Sequence, residues 1–424
     1  MTPIPILQIA GLITRIIQNG ARSAVTARGD AQRQLVFPGS AQSPLAVPND
    51  CSPSAWACKT LPAASCAILG ILLAACSGGK HLYVAPSGSD TNPGTKEAPF
   101  ATISHADSRA APGFTIHVAP GIYRVAAPSP GSAGIHTVKS GTANDRIRFV
   151  SDRKWGAKIV FSGTGIAWNS EGAFVDIDGF DISGTGRIGI LAKGGNEHIT
   201  RNFVHDLTVS GGCNGRGGAA INTWGPVGGA VIDSNVVRNI GLQWLAGRTC
   251  NTVQGIYVAN ANNRILNNVI SGVASVGINS WHGGTASTIV NNTILNSKMG
   301  IVIGHGDSGA TAAGTSNNYV ANNIVFGNGH GITEMGKVGG NNRYVNNLVH
   351  SNNNNWRVMG QVIGTISADP MFLNFRNDGT GDYRLHTMSP ATGLGANIHL
   401  RMDAADARTG APFGAQAPIS VDER

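Results

Sequence analysis

Apolar and polar positions in the second half of the chain recur as a long repeat, not with a helical period. Six segments share one pattern: Ile199-Thr200-Arg201-Asn202-Phe203-Val204, Ile232-Asp233-Ser234-Asn235-Val236-Val237, Ile265-Leu266-Asn267-Asn268-Val269-Ile270, Ile289-Val290-Asn291-Asn292-Thr293-Ile294, Val320-Ala321-Asn322-Asn323-Ile324-Val325 and Tyr344-Val345-Asn346-Asn347-Leu348-Val349. The fourth residue of each is Asn, in steps of 33, 33, 24, 31 and 24. A step of 24 is one bare coil, and the longer steps are the same coil carrying a loop. Ahead of each motif lies a second stretch such as Gly255-Ile256-Tyr257-Val258, Gly277-Ile278-Asn279-Ser280 or Gly300-Ile301-Val302-Ile303. Short β-branched runs between turn residues read as strands. A repeat of this length reads as a solenoid, whose coils bury Ile and Val only by stacking. Two strands per coil are expected, each paired in parallel with its homologues. The fold class is all-β, a single-stranded parallel β-helix with the six Asn in a ladder bonded to one another and to turn backbone.

Composition supports this. With 58 Gly in 424 residues, 6% aromatic and 13% charged residues, the chain suits tight turns and an uncharged polar surface, not a helical bundle. The formal charge is +8. Residues 1–75 carry Arg15, Arg22, Arg28, Arg33 and Lys59 against Asp30 and Asp50, which leaves +5 for the rest with no Lys/Arg run. That argues against a nucleic-acid partner and is compatible with an acidic glycan. The apolar run Leu61–Ala75 follows Lys59 and ends in Leu73-Ala74-Ala75-Cys76. It has the form of an export signal and is too short to span a bilayer.

Several segments carry resemblances. The last four residues of the apolar run resemble the lipobox of bacterial lipoproteins, which implies lipidation at Cys76; Ser77 after it implies outer-membrane sorting. The expected organisation is residues 1–58 unassigned, read from a start set too far upstream, 59–75 as signal, 76–81 as linker, 82–400 as β-helix and 401–424 as tail. The protein is then extracytoplasmic, anchored in the outer membrane or secreted, and monomeric. Cys213 and Cys250 remain in Gly-rich stretches of the exported part, where a disulfide between neighbouring loops is expected. Tyr83-Val84-Ala85-Pro86-Ser87-Gly88-Ser89-Asp90-Thr91-Asn92-Pro93-Gly94-Thr95, followed by Pro99-Phe100-Ala101-Thr102-Ile103, resembles the opening of family-nine pectate lyases and related right-handed β-helix proteins. Asp369-Pro370-Met371-Phe372 and Asp382-Tyr383-Arg384-Leu385 are similar to their closing segment. The resemblance implies a right-handed coil and a polysaccharide partner. It specifies the reaction weakly, because one scaffold hosts many chemistries.

With the first-strand Ile pointing inward, the residues one and three places later face out. This gives Leu191, Asn222, Tyr257, Asn279, Val302 and Thr333 in one column. Lys193, Trp224, Ala259, Trp281, Gly304 and Met335 form the next, with His282, His305 and Asp307 just beyond. An exposed aromatic strip needs a cover, and sugar rings stacking on Trp224, Tyr257 and Trp281 while Asn222 and Asn279 bond hydroxyls provide one. Uronate elimination needs a base, for which His282 and His305, or Lys193 or Lys298, are the candidates. The resemblance implies Ca²⁺ held by clustered Asp, but no two successive coils place Asp at equivalent outward positions, so no cofactor is assigned. Hydrolysis needs a carboxyl pair. Only Asp307 and Glu334 lie near the strip, and Glu334 falls on the inward phase. The reading is a polysaccharide lyase acting on a uronate-containing glycan, with a noncatalytic glycan-binding or structural envelope lipoprotein as the alternative and a glycoside hydrolase ranked below.

Overall fold

Each Asn motif turns a corner. The residue before the ladder Asn has left-handed backbone in all six coils, with φ of 54° at Arg201, 58° at Ser234, 54° at Asn267, 59° at Asn291, 54° at Asn322 and 51° at Asn346. Asn tolerates this region better than most side chains, which explains the Asn-Asn pair in the last four motifs. The corner splits the motif between two sheets: Ile199 lies in His198–Thr200, whereas Phe203 begins Phe203–Val209. Each coil therefore has three strands rather than the two expected from the sequence, since the apolar residues flanking the corner belong to different faces.

The computed structural model describes residues 80–392 apart from 248 and 307–313, all within one unit, Cys76–Arg424. Residues 1–79, including Cys76, and residues 393–424 lie outside the described residues, as does Asp307. Among the described residues three parallel sheets run the length of a right-handed β-helix. A long sheet of eleven strands extends from His81–Val84 to Gln361–Ile363, a second of nine from Gly121–Ala127 to Leu348–His350, and a third of nine from Ala133–Thr137 to Asn354–Arg357. The helix Ile103–Arg109 packs against the first strands, burying Ile103 and Ala106.

Registered pairing stacks like on like. Ile190, Ile221, Ile256, Ile278, Ile301 and Ile332 form one fully buried column in the third sheet. Facing it, Val204, Val237, Ile270, Ile294, Val325 and Val349 do the same in the second sheet. Each such side chain contributes about 1.5–3 kcal/mol of burial. Five of these six Ile follow a Gly, Ile221 following Ala220 instead, and close approach leaves no room for a Cβ at two of them: one at Gly277 would lie 2.4 Å from Ile294, and one at Gly300 would lie 2.4 Å from Val325.

The ladder joins the coils at their corner. Asn202, Asn235, Asn268, Asn292 and Asn323 each donate backbone N–H and side-chain Nδ2 to the Oδ1 of the next Asn, ending at Asn347, over 2.9–3.1 Å. Shorter Asn stacks, Asn318–Asn342 and Asn328–Asn352, serve the other two corners.

The stack of parallel strands ends at Gln361–Ile363. Phe372–Asn374 and Asp382–Leu385 instead form an antiparallel hairpin. Tyr383 buries itself against Phe203, Val236, Val269 and Leu295 on the outer face of the second sheet. Beside this hairpin, His205 stacks on Phe203 with ring centroids 3.8 Å apart. Its Nδ1 meets Asp206 at 2.7 Å and its Nε2 meets Asp181 at 3.0 Å. Burial opposes charging His205, but the two carboxylates outweigh it and raise its pKa above the ordinary 6.5. Asp206 is lowered to about 2, chiefly by the bond to His205, with Asn239 and Arg238 adding to it. A raised histidine pKa gives stability that is complete below the unfolded value and lost as pH rises through the folded one. The lowered Asp206 gives stability lost only as pH falls through about 2. Wild type should therefore exceed His205→Gln in denaturant midpoint at pH 5.5, with the gap shrinking by pH 9. A gap independent of pH would refute this coupling.

Candidate functional site

The outer face of the third sheet carries the strip read from the sequence. Register pairs Leu191 with Asn222, Asn222 with Tyr257, Tyr257 with Asn279, Asn279 with Val302 and Val302 with Thr333. The longest insertions between second-sheet and third-sheet strands, residues 210–217 and 241–252, rise on one side of this face. Cys213 and Cys250 meet there with Cα atoms 4.7 Å apart and their sulfurs in bonding contact, a separation a disulfide accommodates. The Cys213 carbonyl also accepts from the Asn251 and Thr252 backbone N–H. Lys298 Nζ donates to the Cys250 carbonyl and to Asn251 Oδ1, so this lysine braces the wall.

Between this wall and the turn after Ser280 lies a groove of about 450 Å³. Asn222, Tyr257, Asn279 and Val302 floor it, and Trp281 and His282 border it. The Trp281 ring lies across Gly304 and Gly306, where a Cβ would come within 2.7 Å and 3.1 Å of it. His282, at φ 52°, turns its ring edge-on to Trp224 at 5.4 Å and to Tyr257 at 5.9 Å. Trp224 is 46% exposed. Asn222 and Asn279 are buried, yet the side-chain Oδ1 of each has no hydrogen-bond partner. A buried acceptor left unpaired costs about 1–3 kcal/mol.

Arg187 and Arg216 also line the groove. Among the described residues neither is ion-paired, and the half-buried Arg187 has an unpartnered Nε. Burial, and then the charge of Arg216, push the Arg187 pKa below the ordinary arginine range. Neither residue was singled out by sequence reasoning, since one precedes a strand and the other ends an inserted loop, outside the outward columns. The signal that could have found Arg216 is its place three residues after Cys213.

Two candidate bases are placed differently from the sequence reading. His305 is only 2% exposed, with both ring nitrogens unpartnered. The strand Met299–His305 continues to that residue, which pairs with Gly336, so alternation puts His305 on the inward phase of Ile301 and Ile303 and not on the strip. Its ring centroid is 5.8 Å from that of His282. Lys193 does not line the groove; its Nζ bonds Glu171 Oε1 at 2.6 Å. Glu171, also bonded to Asn169 and His136, is held at about 2, chiefly by Lys193. Glu334 accepts from Tyr344 Oη and from the Met359 and Gly360 N–H, a structural lock on the last coils.

The calcium arrangement implied by resemblance does not fit the described aspartates Asp176, Asp178 and Asp181, which are already engaged. Asp176 is engaged by Arg146, Arg148 and His198, Asp178 by Arg201 and Thr200, and Asp181 by His205. Among the described residues no group of three or more His, Cys, Asp or Glu is arranged to hold a metal ion.

The fold defines a right-handed parallel β-helix protein with an open groove on one sheet. A family model described as "Pel9A-like, right handed beta helix region" matches residues 82–224, so Tyr257, Trp281 and His282 lie past the matched part. The chain is similar in structure to pectate lyase Pel9A, with a TM-score of 0.57 and 15% identity over 79% of this chain and 95% of that one. It is also similar to a rhamnogalacturonan lyase, with a TM-score of 0.52 and 17% identity over 70% and 91%. A 45-residue stretch is 53% identical to the uncharacterized protein YwoF of Bacillus subtilis strain 168, covering 11% of this chain and a tenth of that relative's length.

Proposed function

We propose that this protein binds a uronate-containing polysaccharide along the third-sheet groove and cleaves it by β-elimination. The observation that carries the reading is the Arg187–Arg216 pair, without a counterion among the described residues, in one groove with His282 and aromatic rings. Two guanidiniums facing one space favour a carboxylate, and Arg binds one in a bidentate fork. Neutralising the carboxylate makes the adjacent C5 proton removable. His282 takes that proton, the C4–O4 bond breaks as the C4–C5 double bond forms, and the departing oxygen is protonated by the imidazolium or by water. The similarity to two lyases supports the fold on which this chemistry is placed. The same reading keeps the protein outside the cytoplasm, exported through residues 59–75 and lipid-anchored at Cys76.

The test incubates the full chain with a panel of uronate glycans and follows the ultraviolet absorbance of the unsaturated product. Absorbance should rise with at least one glycan. His282→Ala should abolish the rise while glycan binding persists, and Trp281→Ala should weaken binding by about tenfold through loss of the stacking surface. Binding without any unsaturated product favours the noncatalytic glycan-binding alternative; normal turnover by His282→Ala removes the assigned base.

A further inference from the structure

The N-terminal end of the first sheet carries a cluster of side chains that the groove does not use. The strands His81–Val84 and Thr115–Val118 pair in register, Tyr83 with His117 and Val84 with Val118. Val84, Ile116 and Val118 are buried in the core, so strand alternation turns His81, Tyr83 and His117 to the outer face. Asp152 follows directly on the next strand of that sheet, Ile147–Ser151.

These side chains form one line. His81 Nδ1 and His117 Nε2 are 3.1 Å apart, and His117 Nδ1 lies 2.9 Å from Asp152 Oδ1. Tyr83 stacks on the His117 ring, with centroids 4.9 Å apart and planes 16° from parallel. His117 is thus held by a carboxylate at one edge and by a ring on one face. A carboxylate only accepts, so the proton of the neutral imidazole sits on Nδ1 and the lone pair of Nε2 points at His81. His81 answers with an N–H, or, by carrying its proton on Nε2, with a second lone pair. His81 is exposed and His117 partly so, and both rings are within reach of an ion from solvent.

Two imidazole nitrogens this close match the bite of one metal ion. Zinc holds imidazole nitrogen at about 2.0–2.1 Å, which places two neighbouring ligands about 2.8–3.4 Å apart. The observed separation falls inside that range. Asp152 stands where carboxylates stand behind metal-bound histidines, fixing the tautomer and the direction of the ring. Imidazole suits zinc, copper and nickel, whereas calcium takes oxygen ligands.

We infer that His81 and His117 form a site for a divalent transition-metal ion of the zinc or copper class, with Asp152 orienting His117 from behind. Two positions of a four-coordinate ion stay open to water or to a ligand from outside. The site lies on the first sheet and the groove on the third, so it does not rest on the glycan reading.

The test titrates the full chain with zinc chloride by calorimetry, beside His81→Ala, His117→Ala, the double variant and Asp152→Asn. Cys51, Cys58, Cys66 and Cys76 are further zinc ligands in the chain, so the readout is the difference from wild type. Each histidine variant should bind one ion fewer, and the double variant should lack that same ion and no other. Asp152→Asn should keep the ion but hold it about tenfold more weakly. Metal-free melts matching wild type separate a lost ligand from a lost fold. On wild type itself, imidazole-nitrogen NMR should show zinc shifting His81 Nδ1 and His117 Nε2 together, and calcium shifting neither. Unchanged zinc stoichiometry in both single variants, or zinc leaving both resonances in place, overturns the site and leaves the pair as an ordinary hydrogen bond. Equal affinity of Asp152→Asn and wild type overturns the orienting role of the carboxylate.

Discussion

Replacing Asn268 with Leu should destabilise the protein by about 3–5 kcal/mol, because one side chain satisfies several buried groups at once. Its Oδ1 accepts from the backbone N–H and the Nδ2 of Asn235, and its Nδ2 donates to the Ile232 carbonyl and to Asn292 Oδ1. Asn235, Asn268 and Asn292 are fully buried, so the groups left behind have no water to turn to. The cost should also break nearest-neighbour coupling between coils, on which a stacked repeat depends. Asn202, at the start of the ladder, provides the internal comparison. Its Nδ2 donates to the Ile177 carbonyl and to Asn235 Oδ1, but its Oδ1 accepts one bond, from the Phe180 N–H, where that of Asn268 accepts two. Asn202→Leu should therefore cost less than Asn268→Leu in equilibrium denaturation. An Asn268→Leu loss below about 1 kcal/mol, the worth of a single ordinary hydrogen bond, would show that the ladder does not hold the stack.

The ladder was legible in the sequence because its chemistry leaves few alternatives. A side chain must accept and donate along the axis at once, and Asn has the reach and both functions. Its period therefore survives loops of differing length, as the steps of 24 and 33 show. What the period did not convey was the corner. Asn267 and Asn268 look alike in sequence, yet one takes the left-handed backbone and the other fills the ladder, and this divides one apparent strand into two. The closing segment takes its own form for a related reason: Phe372 and Tyr383 are apolar enough for a coil, but they pack on the outside of the second sheet.

Site residues followed the same division. Asn222, Tyr257, Asn279 and Trp281 obey strand alternation, and the structure lines one groove with them. His305 was misplaced by a strand two residues longer than the repeat suggested, which returned it to the inward phase. Lys193 sits on the expected column, but Glu171 one coil earlier captures it, a cross-coil pairing that no spacing in the sequence announces. Arg187 and Arg216 belong to no period at all. They are brought together by the insertion that Cys213 and Cys250 tie down.

The last and largest expected effect falls on this unperiodic pair. Arg187→Ala with Arg216→Ala should weaken binding of an acidic octasaccharide by about a hundredfold, or about 2.7 kcal/mol, with the denaturation midpoint unchanged. Removing two like charges that face each other costs the fold nothing: Arg187 is already pushed down by burial and by Arg216, and neither has an ion-pair partner among the described residues. Wild-type affinity should fall as salt rises, since a charge–charge contact is screened, and the double variant should show little salt dependence. Arg187→Lys should recover only part of the loss, because an ammonium keeps the charge without the planar fork. Three curves of affinity against ionic strength, for wild type, the double Ala variant and the Lys variant, decide the matter. If they coincide, the carboxylate is not held by these arginines, and the groove contacts its ligand through Asn222, Asn279 and the aromatic rings alone.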